Sequence, residues 1–273
     1  MVYQSGKKLI LGAFSIWALL LFAAWMAYGQ GGERSFNVPE ECSCIELFSP
    51  GTLSSDTQYK VRQYGNGIPA ITIGPVSILL SGDIEGGAKL PIDDTYSDIR
   101  WFGTQFFYAG EGGLYYCENS GEKHLLIGSE EMISEFGMSE EGIFFTVKQG
   151  LFFLTYGSDS LQCCFLGSQP ISHLSVIEDG CFFSEGKEIF AFGRGSVAKL
   201  FSAESDILAI AGHNSGMVFY GTADGVHCIT PDFQEADIVS SPVRNLDIVG
   251  DDLFITFADA SCVMITDISY FYK

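Results

Sequence analysis

From residue 58 onward, short apolar runs alternate with turns bearing Gly, Asp or Glu, and the runs return at a nearly fixed period. An apolar position that follows a turn recurs as Ile78, Leu114, Leu151, Ile189, Val226 and Cys262, at spacings of 36, 37, 38, 37 and 36 residues. A second column, Phe107, Phe145, Phe183, Phe219 and Ile255, keeps step with it at 38, 38, 36 and 36. Within each unit the pattern reads as an innermost strand, a second strand (residues 105–108, 143–147, 181–184, 217–220 and 253–257), a tight turn, a third strand and a weaker fourth. Runs this short, rich in aromatic and β-branched residues and bounded by turn formers, fit strands rather than helices. Four strands in slightly under 40 residues predict a β-propeller blade, because one such sheet buries both its faces only between two neighbours.

Six units follow, at residues 58–94, 95–130, 131–169, 170–205, 206–242 and 243–273. The last is short, since only residues 267–273 remain after its third strand at 262–265. Near the other end of the chain, Cys44-Ile45-Glu46-Leu47-Phe48-Ser49 is similar to the fourth-strand phrase Lys199-Leu200-Phe201-Ser202. A ring closes without an open edge when a strand from one terminus completes the blade of the other. Ile45 to Phe48 is therefore expected to close the sixth blade, with Ser269-Tyr270-Phe271-Tyr272 as the alternative. The expected fold is all-β, a six-bladed propeller over residues 42–273.

Residues 207–216, Ile-Leu-Ala-Ile-Ala-Gly-His-Asn-Ser-Gly, followed by Thr222-Ala223-Asp224-Gly225-Val226, give the chain a blade that resembles those of the WD40, RCC1-like and quinoprotein-like propellers. The resemblance implies architecture alone. The Trp-Asp dipeptide is absent from every repeat, and Trp101 is the single tryptophan in the repeat region.

Ahead of the repeats, residues 9–29 run for 21 positions without a charge, from Leu9 to Gly29. As a helix this stretch spans about 30 Å, the thickness of a hydrocarbon core. Lys7 and Lys8 precede it, while Glu33 and Arg34 follow and cancel. The positive-inside bias then keeps residues 1–8 cytoplasmic and carries the propeller across the membrane on a single transmembrane signal anchor. The rival is a cleaved signal peptide, since Ala27-Tyr28-Gly29 places small residues at a suitable spacing. Residues 30–41, with two glycines, Pro39 and several charges, read as a linker.

A formal charge of −20 excludes sequence-independent binding of nucleic acid and adhesion to anionic lipid through a basic patch. Of eight cysteines, Cys117, Cys181, Cys228 and Cys262 fall inside expected strands as small buried hydrophobes. No CxxC pair or other ligand spacing points to a metal, and no cofactor is expected.

The innermost strand of a blade lines the central channel, so equivalent positions form a ring. Apolar pairs three apart (Tyr96 and Ile99, Ile133 and Phe136, Ile171 and Leu174, Val243 and Leu246) bracket the ring positions Asp98, Glu135, His173 and Asn245, with Ala209 between Ile207 and Ile210 and Gln63 in the first blade. Gln63, Asp98, Glu135, His173 and Asn245 are the candidate ligand site, with Arg100 and Arg244 nearby. Catalytic residues are not expected: the four histidines are scattered, and no HExxH, GxSxG or phosphate-binding glycine loop occurs. The expected function is a membrane-anchored, extracytoplasmic, non-catalytic module that binds protein partners in a membrane or envelope complex. The alternative is a propeller enzyme, or a binder of small ligands or ions, acting through the channel.

Overall fold

The computed structural model of the chain describes residues 34–64, 68–73, 76–79, 88–89, 96–102, 105–117, 122–158 and 160–272. The expected transmembrane anchor and its flanking lysines lie outside the described residues. Among the described residues, no helix is long and apolar enough to cross a membrane.

Strand β1 (Cys44–Phe48) precedes the repeats. The first sheet holds β2 (Lys60–Tyr64), β3 (Ile68–Ile73), β4 (Val76–Leu79) and β5 (Ala88–Lys89). The second holds β6 (Tyr96–Phe102), β7 (Gln105–Gly110), β8 (Gly113–Cys117) and β9 (Lys123–Gly128). The third is β10 (Phe136–Met138), β11 (Gly142–Val147), β12 (Gly150–Thr155) and β13 (Leu161–Leu166). The fourth is β14 (Ile171–Ile177), β15 (Gly180–Glu185), β16 (Glu188–Gly193) and β17 (Ser196–Ser202). The fifth is β18 (Ala209–Gly212), β19 (Val218–Gly221), β20 (Val226–Ile229) and β21 (Glu235–Val239). A sixth contains β22 (Val243–Val249), β23 (Asp252–Phe257) and β24 (Cys262–Ile265).

Among the described residues these strands make six four-stranded antiparallel sheets, and in five of them the strands follow chain order from the axis outward. The sixth runs β22-β23-β24-β1, with Ile45 opposite Met264 and Phe48 opposite Cys262. The alternative closing segment is instead a 3-10 helix, Ile268–Tyr272. The first strands touch in the cycle β2, β6, β10, β14, β18, β22 and back to β2, which is the closed ring of a propeller.

The apolar cores lie between sheets, as the repeat demands. Leu114 and Phe107 of the second sheet pack with Phe136 and Phe145 of the third. Phe144 packs with Leu174 and Phe183, and Phe182 with Ile210 and Tyr220. Ala211 and Phe219 meet Leu246 and Ile255, and Phe254 with Cys262 meets Tyr59, Val61 and Ile71 where the last sheet meets the first. Gly221 and Gly137 mark close approaches between sheets, because a Cβ there would stand 2.0 Å from Val243 Cγ1 and 2.4 Å from Val176 Cγ2.

Residues 34–41, the described part of the expected linker, lie against the fifth and sixth sheets. Phe36 bridges to Val239 and stacks edge-on to Phe257, and Asn37 N donates to the Ile238 carbonyl at 2.8 Å. Arg34 donates to Asp259 at 2.6 Å, Ser261 at 2.8 Å and Ser241 at 3.2 Å, with its Cζ 3.9 Å from the Phe257 ring centroid.

Candidate functional site

Backbone register fixes which residues share the ring. Asp98 pairs with Ala109, His173 with Ser184, Ala209 with Gly221 and Asn245 with Thr256, while Thr146 N donates to the Glu135 carbonyl. A β-bulge precedes Asp98, His173 and Asn245 in their strands, and bulges re-aim the side chain that follows them. In the first sheet the residue in this register is Lys60, paired with Thr72, which in turn pairs with Ser77. Gln63 lies three residues further along β2, opposite Pro69. The repeat spacing narrows the choice, because Lys60, Val61 and Arg62 lie 38, 37 and 36 residues before Asp98, within the range of the other units, and Gln63 only 35.

The ring and the layer beyond it form an ion-pair plug. Asp98, only 3% exposed, faces Arg62 Nη2 at 3.3 Å, Arg100 Nε at 3.3 Å and Lys60 Nζ at 3.5 Å. Lys60 also reaches Glu135 at 3.6 Å, and Arg62 Nη1 is paired with Asp247. Asp247 accepts from Val61 N at 2.9 Å and from the Asn245 amide, and Glu135 Oε2 accepts from Leu174 N at 2.6 Å. Burial alone would push the Asp98 carboxyl up, but Lys60, Arg100 and Arg62 together outweigh it and hold it well below the usual carboxylate range. Burial pushes the Arg62 guanidinium down to about 10, with Arg100 adding to the effect, so it stays charged at neutral pH.

Arg62 divides the channel in two. On one side is a cavity of about 340 Å³ lined by Lys60, Tyr96, Asp98, Arg244 and Asn245. On the other is a cavity of about 400 Å³ that Gln63, Arg100, Glu135, His173, Asn245 and Asp247 line together with apolar residues of the inner strands. Four of the five candidate residues (Gln63, Glu135, His173, Asn245) therefore share the larger cavity, while Asp98 faces the smaller. Arg100 and Arg244 are separated: Arg244 donates to the carbonyls of Ser55, Thr57 and Ala258 and serves the backbone.

Burial pushes the His173 imidazole down, against the opposing pull of Glu135 and a hydrogen bond with the Ile207 backbone. A base with a depressed folded pKa contributes its full stability above its ordinary value of 6.5 and loses it as pH falls below that value, because the unfolded chain then binds the extra proton. The melting temperature is expected to drop between pH 7 and pH 5, and His173→Gln to shrink that drop. An equal drop in the variant would remove His173 as its source.

One arrangement escaped the sequence reading. His213 Nδ1 lies 2.8 Å from Ser215 Oγ and His213 Nε2 lies 2.9 Å from Asp251 Oδ1, joining the fifth sheet to the sixth. The serine is exposed, the Asp251 side chain is 61% exposed, and neither channel cavity includes the trio. Its hydrogen bonds clasp the fifth blade to the sixth. Among the described residues, no group of three or more His, Cys, Asp or Glu is placed to hold a metal ion.

All eight cysteines are free thiols. Cys117, Cys181, Cys228 and Cys262 are buried, and burial pushes Cys228 and Cys262 up to about 12, whereas Cys44 and Cys163 are exposed. Alkylation of the native protein is expected to modify Cys44 and Cys163, and the five buried thiols (those four and Cys42) only after denaturation. Mass spectrometry of the labelled peptides checks this.

No family model matches the chain, and no curated protein does. Solved structures do match. A gluconolactonase from Xanthomonas campestris superposes with a TM-score of 0.58 at 13% identity, over 87% of this chain and 95% of its own. The chain is a β-propeller. A virginiamycin B lyase from Staphylococcus aureus matches at 0.55 and 11% identity, over 83% of this chain and 99% of its own. The WD40 domain of a Neurospora crassa protein matches at 0.55 and 11% identity, over 77% and 74%. At these identities the likeness carries the fold and no activity.

Proposed function

We propose that this chain is a six-bladed propeller, held at a membrane by residues 9–29 with its blades outside the cytoplasm, that serves as a non-catalytic interaction module of a membrane or envelope complex. The observation that carries the reading is the outer edge of the third sheet. Strand β13 is an edge strand whose backbone hydrogen-bonding groups face outward, with Leu161 50% and Leu166 69% exposed and Cys163 exposed between them. On the neighbouring sheet Leu125 of β9 is 57% exposed. Natural proteins blunt such edges or cover them with a partner. The channel supports the non-catalytic part, since the Arg62, Asp98 and Asp247 charges that would be needed to act on a substrate are spent on one another. Arg34, five residues beyond the apolar stretch, is fastened to Asp259, which would hold the propeller close to the bilayer instead of on a free stalk.

Affinity purification of the full chain from cross-linked membranes is expected to recover a stoichiometric protein partner, and the pair Leu161→Glu with Leu166→Glu to lose it. Recovery of the wild-type chain alone would overturn the interaction reading. Labelling of Cys44, which is exposed and lies away from the β13 edge, by a membrane-impermeant reagent on intact cells tests the topology, and protection there would place the blades inside.

A further inference from the structure

Two charged side chains of the larger channel cavity keep bonding capacity among the described residues. Four charged side chains line it: Arg62, Arg100, Glu135 and Asp247. Arg62 and Asp247 are spent on each other through Asp247 Oδ1, and Asp247 Oδ2 accepts from both Val61 N and the Asn245 amide. Arg100 uses only Nε, toward Asp98 at 3.3 Å, and its two terminal nitrogens make no hydrogen bond among the described residues. Its side chain is 22% exposed, and its Cζ stands 6.0 Å from the ring centroid of Phe136, the residue next to Glu135. Glu135 gives Oε2 to Leu174 N, while Oε1 has only Lys60 at 3.6 Å. A guanidinium fork on β6 and a carboxylate oxygen on the residue just before β10 thus keep spare bonding capacity among the described residues on neighbouring blades. The rest of the lining includes Met138, Val176, Ile210 and Ile248.

The balance of these charges selects the ligand. A simple anion on Arg100 would add an uncompensated negative charge beside Glu135 and Asp247, and a simple cation on Glu135 would do the reverse beside two arginines; in a partly desolvated site either is costly. A molecule bearing both charges leaves the cavity neutral, and a planar carboxylate matches the two-pronged guanidinium. About 400 Å³ falls within the range of small-molecule sites. We propose that this cavity binds a small apolar α-amino acid, its carboxylate on the Arg100 fork, its ammonium on Glu135 Oε1 and its side chain against Met138, Val176 and Ile248. The site is independent of the β13 edge, so a protein partner is neither required nor excluded by it.

The test is calorimetry and thermal melting of the full-length chain with leucine, methionine and phenylalanine, against N-acetyl-leucine, which lacks the ammonium, and leucinamide, which lacks the carboxylate. At least one of the three free amino acids is expected to bind saturably and raise the melting temperature at about 10 mM. Each blocked analogue should bind about tenfold or more weakly, as should the parent amino acid to Arg100→Gln and Glu135→Gln. Glu135→Gln keeps an acceptor for Leu174 N, so its loss reads charge and not folding. No binding by any of the three, or blocked analogues that bind as tightly as leucine, overturns the proposal. The analogue comparison uses only the wild-type chain, so it decides the matter even where a variant does not fold.

Discussion

Truncation of the first 50 residues, which removes β1 and the docked segment before it, is expected to abolish the cooperative melt of the propeller. Three effects add. The sixth sheet loses its outer strand and exposes the β24 edge from Cys262 to Ile265. Phe36, Val38, Leu47 and Phe48 leave the cores on either side of the sixth sheet. Arg34 leaves Asp259 and Ser261, and Cys42 leaves the core beside Ile268. At about 1.5–3 kcal/mol for each large apolar side chain removed from water, halved for those only partly buried, the apolar part alone comes to roughly 3–6 kcal/mol. That is comparable with the whole stability of an ordinary domain, about 5–15 kcal/mol. A synthetic peptide of residues 34–50 added in trans should restore the melt, since it supplies the same strand and the same side chains. A truncated chain that melts where the full chain does would show that closure does not depend on β1.

Asp98→Ala is expected to destabilise the protein by about 3–5 kcal/mol, because it leaves Lys60, Arg62 and Arg100 around a site that held their common counter-charge. Arg62 is 8% exposed and cannot turn to water without opening the ring. Removing charge on both sides is a different matter. The triple variant Arg62→Met, Asp98→Asn, Asp247→Asn takes away the desolvation penalty along with the attraction, and is expected to be much closer to wild type than Asp98→Ala. The sign with pH follows from the depressed Asp98 carboxyl: its contribution is complete above the ordinary carboxylate value of 3.8 and is lost as pH falls below it. Denaturant melts of the wild type, the single and the triple variant at neutral pH check the ordering. Equal losses in the single and triple variants would mean that the network matters through packing and not through charge.

The repeat was legible because each blade must offer apolar residues to both neighbours at the same places, which imposes a period on the chain whatever the blade's surface does. The columns were less secure than their spacing. Phe107 and Phe219 were grouped with Phe145 and Phe183, yet Ile99 pairs with Tyr108 and Ile210 with Tyr220, one residue on. In a strand with apolar residues on both faces, a slip by one leaves the hydropathy pattern intact, so only hydrogen-bond register resolves it. Gln63 stands three residues beyond Lys60, and it is Lys60 that ties Asp98 to Glu135.

Residues 34–41 show the opposite limit. Their glycine-flanked, charged composition is that of a linker, and nothing local in it signals docking. Phe36 and Arg34 find partners at Val239, Phe257 and Asp259, positions that come together only once two sheets stand side by side. The β1 strand was more visible, since its phrase echoes a fourth strand elsewhere in the chain.

Period, apolar content, acidity and the uncharged stretch at residues 9–29 are properties of residues and their near neighbours, and reading along the chain is enough to establish them. Which charges meet on the axis is not such a property. Arg62 and Asp247 are 185 positions apart and face each other because the ring closes. Among the described residues Arg100 pairs through Nε alone with Asp98, which is shared with Lys60 and Arg62. Coulomb energy depends on separation in space, and folding brings these groups within a few ångströms in a way that no spacing along the chain encodes.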